Sequence, residues 1–188
     1  MSPRARNSDV DIFEATLDVI AEHGVSRVTV DMVAARAGMS KATIYRHWGS
    51  RAQLIHAALS SLQGPYVETP GQSLREDLAI LLSHLVDYFN RPDIARIFPS
   101  FIDAAVRDPE LAELHMEAMQ RARDGFEEVV RRAIERGELS ADVDVGLLVD
   151  VVRAPFIYRP VVARMPVAKE DIDAVLDLVL GAFSRVQN

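Results

Sequence analysis

The chain has 188 residues, with 21 Lys and Arg against 28 Asp and Glu for a net charge of −7, which excludes a uniformly basic nucleic-acid coat. At 49% hydrophobic and 26% charged, it has the composition of a globular protein able to bury a core, not that of a disordered chain. Cysteine is absent, which removes disulfides and thiolate metal sites. The opening MSPRARNSDVDIFEA has no apolar h-region, and Asp150, Arg153 and Arg159 interrupt the most apolar stretch, 143–163. Neither a secretory signal nor a membrane span is expected, and the chain reads as cytoplasmic.

Strand-like alternation is nowhere sustained, and Gly and Pro separate segments of helical length, so an all-α fold is expected. The first helix is predicted from Asp9 to His23, capped by Ser8 with Asp11 in the capping-box position and stopped by Gly24. Ile12, Phe13, Thr16, Leu17 and Ile20 form its buried stripe. A second helix starts after Thr29 and carries Val30, Val33, Ala34 and Ala37. Gly38-Met39-Ser40 interrupts it, a third helix covers Lys41 to Trp48, and a fourth begins after Ser50. Gly64-Pro65 and Pro70-Gly71 mark a joint between an N-terminal part, 1–60, and a larger part, 61–188. Ser73 and Glu76 open the next helix, which reaches Asn90. Pro92 and Pro99 bound a short, broken segment. Asp108-Pro109 starts a long helix to Arg136. Asp144 to Arg164 forms a very apolar helix kinked by Pro155 and Pro160, and a final helix runs from Lys169 to Val186.

The spacing from Val33 to Trp48 is that of a helix-turn-helix. Ala34 is small where two helices cross, Gly38 sits where the turn wants positive φ, and Ser40 caps the next helix. Ile44 and Trp48 face the core, which leaves Lys41, Ala42, Thr43, Tyr45, Arg46 and His47 near or on the outward side. Such a helix offers cations, hydroxyls and small side chains to a DNA major groove. Charge supports this: the first 60 residues hold 7 cations and 6 acids, the remainder 14 and 22, and no acid follows Asp31 before residue 60. An ordinary tight helical corner has the same spacing, so spacing alone does not decide.

The run TVDMVAARAGMSKATIYRHWGSRAQLIHAAL, with Tyr45-Arg46-His47-Trp48-Gly49-Ser50-Arg51 at its core, resembles the DNA-binding domain of the tetracycline-repressor (TetR) family of bacterial regulators. The preceding DIFEATLDVIAEHG matches as well, whereas Trp48 stands where phenylalanine is usual and Ala42 where glycine is frequent. The resemblance implies a sequence-specific regulator, a repressor released from a palindromic DNA operator by a small-molecule effector. It assigns Thr29 to a phosphate at a helix N-terminus, and Lys41, Ala42 and Thr43 to base edges or the adjacent backbone. Tyr45 and His47 would touch phosphate, Arg46 bases or backbone, and Arg51 would act as a cationic phosphate clamp. Arg4 and Arg6 form a weaker candidate arm.

The C-terminal part is expected to form a homodimer and hold the effector. Val152 and Phe156 on one helix and Ile172, Val175, Leu176, Val179 and Phe183 on the last form the expected subunit contact, with Ala174, Leu178 and Ala182 widening the apolar arc. The family's ligand pocket would draw on Tyr88, Phe98, Phe101, Met116, Met119, Phe126 and Tyr158, with His84 and His115 as polar anchors. HExxH, P-loop and GxSxG motifs are absent, as is any His and carboxylate pairing at metal spacing. No enzyme activity, metal or cofactor is therefore expected. The alternative reading is a helical dimeric adaptor without DNA affinity.

Overall fold

The computed structural model describes residues 3–63 and 67–184; its side-chain description begins at Asp11 and leaves out Ala95 and Ser184. Among the described residues all regular structure is helical: α1 (Pro3–His23), a 3-10 turn (Val25–Arg27), α2 (Val30–Ala37), α3 (Lys41–Trp48), α4 (Arg51–Ser60), α5 (Leu74–Phe89), α6 (Pro92–Ala105), α7 (Pro109–Glu135), α8 (Val145–Tyr158) with a π-helical turn (Arg159–Ala163), and α9 (Glu170–Ser184). Gly64-Pro65 and Val186 lie outside the described residues, as do the side chains of Arg4 and Arg6. α1 begins at Pro3 rather than Asp9. Proline suits the first helical position and Arg4-Ala5-Arg6 are strong helix formers, so Ser8 lies within the helix instead of capping it.

The chain divides into two compact units, one from Met1–Pro65 with Arg96–Ala118, the other from Tyr66–Ala95 with Met119–Asn188. The organisation expected from the sequence assigns residues 96–118 to the C-terminal part, whereas here they join the N-terminal helices. Ile97, Phe101, Ala104 and Leu111 are buried in one core with Ile12, Val19, Val33, Ile44, Leu54 and Ile55. Apolar burial, not chain order, decides which unit these residues serve. α6 also runs unbroken through Pro99, because Ile97, Phe101 and Ala104 recur at helical spacing and their burial outweighs one missing backbone donor.

In the first unit α1 packs against α2 and α4. Gly24 turns the chain at φ 76, and the following Val25 N–H donates to Ser100 Oγ at 3.0 Å. Buried Thr16 satisfies its hydroxyl by donating to the Ile12 carbonyl at 2.7 Å.

In the second unit α5 packs on α8 and α9 around Leu78, Leu82, Val130, Leu148, Val152, Phe156 and Leu176. Asp77 is fully buried, accepts from the Gly71 N–H at 2.9 Å and lies 3.6 Å from the Arg132 guanidinium. That guanidinium also donates to Thr69, so one buried ion pair fixes the segment entering α5. Glu138 accepts from the Leu74 N–H at 2.7 Å, satisfying a donor at the start of α5. α8 is capped by Asp144, which accepts from the Leu147 N–H at 2.9 Å. It tolerates Pro155 and then widens into the π-helical turn that contains Pro160.

The residues expected at a subunit contact face their own protomer. Val152, Phe156, Ile172, Leu176 and Val179 are buried in the core of the second unit, and Val175 and Phe183 are half-buried against it. The reason is physical: the strongest apolar stripe of an amphipathic helix is drawn first to its own core, here against α5. What remains outward is a second stripe, Leu147, Val151, Ala154, Tyr158 and Val162, with Ala174, Leu178 and Ala182 on α9. Leu178 is 77% exposed and Val162 66%, and it is their continuity with the rest of the stripe that marks an interaction surface.

Candidate functional site

α2 and α3 are built by local rules. Thr29 caps α2 by accepting from the Met32 N–H at 3.3 Å. Gly38 ends it in the left-handed region, φ 65, with its N–H returned to the Ala34 carbonyl. Ser40 then caps α3, accepting from the Thr43 N–H at 3.1 Å, and its hydroxyl also meets that of Thr43 at 2.9 Å. Ile44 is 1% exposed, and the Trp48 ring packs edge-on to Phe13 with centroids 5.9 Å apart. These two side chains fix the roll of α3 about its axis.

That roll turns the remainder of α3 outward. Lys41, Ala42, Tyr45, Arg46 and His47 are exposed, Thr43 is half-buried, and Thr29 is exposed at the start of α2. The structure thus brings six of the eight candidate DNA-contact residues to the exposed surface of one helix pair, with Thr43 half-buried beside them. Arg46 has no ion-pair partner among the described residues, which leaves its charge available to an incoming anion. Lys41 differs: its ammonium lies 2.5 Å from the Asp31 carboxylate at the start of α2. Charge counting along the chain does not reveal this contact, because Asp31 and Lys41 are brought together only across the turn between α2 and α3.

Arg51 is the exception among the eight. Its guanidinium turns inward, donating to the Val28 carbonyl at 2.6 Å, the Val25 carbonyl at 2.7 Å and Asp108 at 3.0 Å. The expected phosphate clamp is corrected to an internal clamp, since the carbonyls of Val25 and Val28, at the two ends of the 3-10 turn, and the Asp108 carboxylate compete for these donors within the unit. Arg36 is similarly spent on Glu22 and Asp18, at 2.7 and 3.5 Å.

The expected small-molecule pocket is not assembled within either unit. Phe101 and Phe126 are core residues of different units, while Phe98, His115 and Met116 lie in the first unit and His84, Tyr88, Met119 and Tyr158 in the second. His84 and Met116 are exposed. Aromatic and methionine side chains serve cores and pockets alike, so their presence in a sequence does not separate the two uses. His115 packs against the Phe98 and Phe101 rings at 6.2 and 5.2 Å. Burial lowers its pKa below the ordinary histidine value, and the nearby His56 adds to the effect. The second unit does carry an open concavity of about 410 Å³ along α8 and its π-helical turn, lined by Asp150, Arg153, Ala154, Ile157, Tyr158 and Val162. Of the expected pocket residues, only Tyr158 lines it.

Among the described residues no group of three or more His, Asp or Glu is placed to hold a metal ion, and no helix is long and apolar enough to cross a membrane. An outward, acid-free short helix held by a capped turn on a three-helix support defines a helix-turn-helix DNA-binding protein. Residues 12–58 match the family described as bacterial regulatory proteins, tetR family, and residues 69–179 match the tetracyclin repressor-like C-terminal domain. The chain belongs to the TetR family and is a DNA-binding transcriptional regulator.

It is 33% identical to the DNA-binding transcriptional repressor TetR of Mycobacteroides abscessus, over 85% of each chain. To an uncharacterized HTH-type transcriptional regulator of Mycobacterium tuberculosis it is 29% identical, over 98% of this chain and 90% of the relative. A crystal structure of a TetR family transcription regulator superposes with TM-score 0.63 at 28% identity, covering 93% of this chain and 97% of the other. FadR from Bacillus subtilis, solved in complex with stearoyl-CoA, shares the fold with TM-score 0.70 at 17% identity, covering 91% and 97%.

Two outcomes follow from this geometry. Arg51→Gln should lower unfolding stability by about 2 kcal/mol, through lost charge-assisted hydrogen bonds, as measured by chemical denaturation. The dependence of duplex affinity on salt should stay unchanged, whereas loss of a phosphate clamp would flatten it. Because burial makes His115 harder to protonate in the folded chain than in the unfolded one, stability should fall as pH drops below about 6.5. His115→Phe should reduce that pH dependence in denaturation curves recorded across the range.

Proposed function

We propose that the chain is a homodimeric repressor whose two α3 helices enter successive major grooves of a palindromic operator and are withdrawn when a small molecule binds the second unit. The observation that carries this reading is the outward face of α3, which presents Lys41, Tyr45, Arg46 and His47 with no acid among them. Thr29, at the N-terminus of α2, would receive a phosphate. Lys41, Ala42 and Thr43 would lie nearest base edges, with Tyr45 and His47 on the backbone. Repression is supported by the name of the Mycobacteroides abscessus relative, and an effector by the acyl-CoA complex of a protein sharing the fold. Such a protein works where its DNA lies, in the cytoplasm.

Dimerisation is assigned to the outward stripe of α8 and α9, centred on Val151, Tyr158 and Leu178, and not to the core-facing residues. Two recognition helices would then stand roughly 34–36 Å apart, one turn of duplex. An effector that favours a different spacing shifts the population away from the DNA-bound state.

Selection from a random duplex library, followed by affinity measurement on the recovered sequence at several salt concentrations, tests the reading. Arg46→Ala is expected to reduce the slope of log affinity against log salt by about 1, the signature of one lost phosphate contact. An unchanged slope removes Arg46 from the interface, and absence of any duplex selected by the wild-type protein favours the adaptor. Leu178→Asp is expected to yield monomers in light scattering and to weaken operator binding by about tenfold or more, since each half-site alone holds little affinity.

A further inference from the structure

Within the second unit, Arg153 is a buried cation without an ion-pair partner among the described residues. Its side chain projects from α8, where Asp150 is the one other charged residue on this side, and the residue is only 8% exposed. The guanidinium lies 5.1 Å from the centroid of the Phe126 ring, and its Nε is buried with no hydrogen-bond partner. The Asp150 carboxylate, which acts on it electrostatically, is committed elsewhere. Asp150 pairs with Arg123, which also holds Glu127 at 2.7 Å and donates to the Gly146 carbonyl at 2.8 Å. Desolvation lowers the Arg153 pKa, Arg123 pushes it further in the same direction, and Asp150 only partly opposes them. A desolvated charge in this condition is costly unless something pairs with it.

Arg153 also lines the open concavity of about 410 Å³, and the other walls are Asp150, Ala154, Ile157, Tyr158 and Val162. A single buried cation beside an otherwise mainly apolar concavity is complementary to a small amphiphile with one negative end. We propose that this open concavity binds a monocarboxylate with an apolar body, its carboxylate paired with Arg153 and its body laid along Ala154, Ile157, Tyr158 and Val162.

This deepens the effector part of the proposed function and rests on it for its regulatory meaning. Ala154, Tyr158 and Val162 belong both to the concavity wall and to the outward stripe of α8. A ligand seated there presses on the surface assigned to the second copy, so occupancy and the way two copies meet are coupled through shared side chains.

The test is calorimetric titration of the full chain, without DNA, using octanoate, octanol and octylammonium as probes. The wild-type protein is expected to bind octanoate at least about tenfold more tightly than octanol and to reject octylammonium. Arg153→Met should erase the preference for octanoate while leaving the unliganded protein as resistant to heat as the wild type or more so. Arg153→Lys, which keeps the charge but not the fork of donors, should retain part of the preference. Equal affinity for octanoate and octanol, no octanoate binding, or a preference that survives Arg153→Met overturns the proposal. Dissociation of the Arg153→Met protein into monomers in light scattering does so too, because the arginine would then serve the subunit contact. Since no DNA is present, failure here leaves duplex recognition standing, and failure to select a duplex leaves this binding measurement standing.

Discussion

The fixed roll of α3 is the constraint on which the rest depends. Ile44 and Trp48 are four residues apart and so lie on one side of the helix; the first is sealed in the core of the first unit and the second is wedged edge-on against Phe13 of α1. A rotation of one residue about the axis would carry Ile44 into water and bring Tyr45 inward. Because burying such a side chain is worth about 1.5–3 kcal/mol, that alternative is scarcely populated. The polar face is therefore oriented before any DNA arrives, and recognition does not have to supply the ordering.

That orientation is itself supported from behind. Arg51 closes the start of α4 onto the carbonyls of Val25 and Val28 and reaches Asp108, while Ser50 donates to Glu110 at 2.5 Å. Both acids stand at the beginning of α7. Residues far along the chain thus hold the helix that follows the recognition helix, within the same unit. Family membership and this internal clamp are compatible: a cation at the start of α4 serves the DNA-binding domain by fixing its geometry rather than by meeting phosphate.

Much of this was legible in the sequence, and the reasons are specific. The caps at Thr29, Ser40, Ser50 and Ser73 were readable because each is a local event decided by a side chain and an amide three residues later. Ile44 and Trp48 were readable from spacing. The direction of Arg51 was not, since it depends on carbonyls and a carboxylate remote in sequence. For the same reason the aromatic and methionine residues between Tyr88 and Tyr158 suggested one pocket, although they divide between two units. On α8 and α9 the apolar arc was correctly seen as too wide for one core. Composition could not say which edge of that arc turns inward, and the longest stripe proved to be the buried one. Arg153 is visible in the sequence as a break in an apolar run, but its burial without a partner depends on how α8 packs.

The pair formed by Lys41 and Asp31 bears on how the regulator treats the many sequences that are not its target. An exposed bridge of this kind is worth about 0–1 kcal/mol, so a phosphate can take the lysine away from the aspartate at little cost. The gain is equally small, because one anion merely replaces another and the abandoned carboxylate is left beside the polyanion. Indiscriminate attraction is muted at that position. Only a contact that adds something beyond charge, such as two well-aligned bonds to a guanine, makes the exchange worthwhile. In the proposed mode of DNA binding, an acid one turn-motif away from the reading head would act as a tare, subtracting the background that every stretch of genome would otherwise contribute.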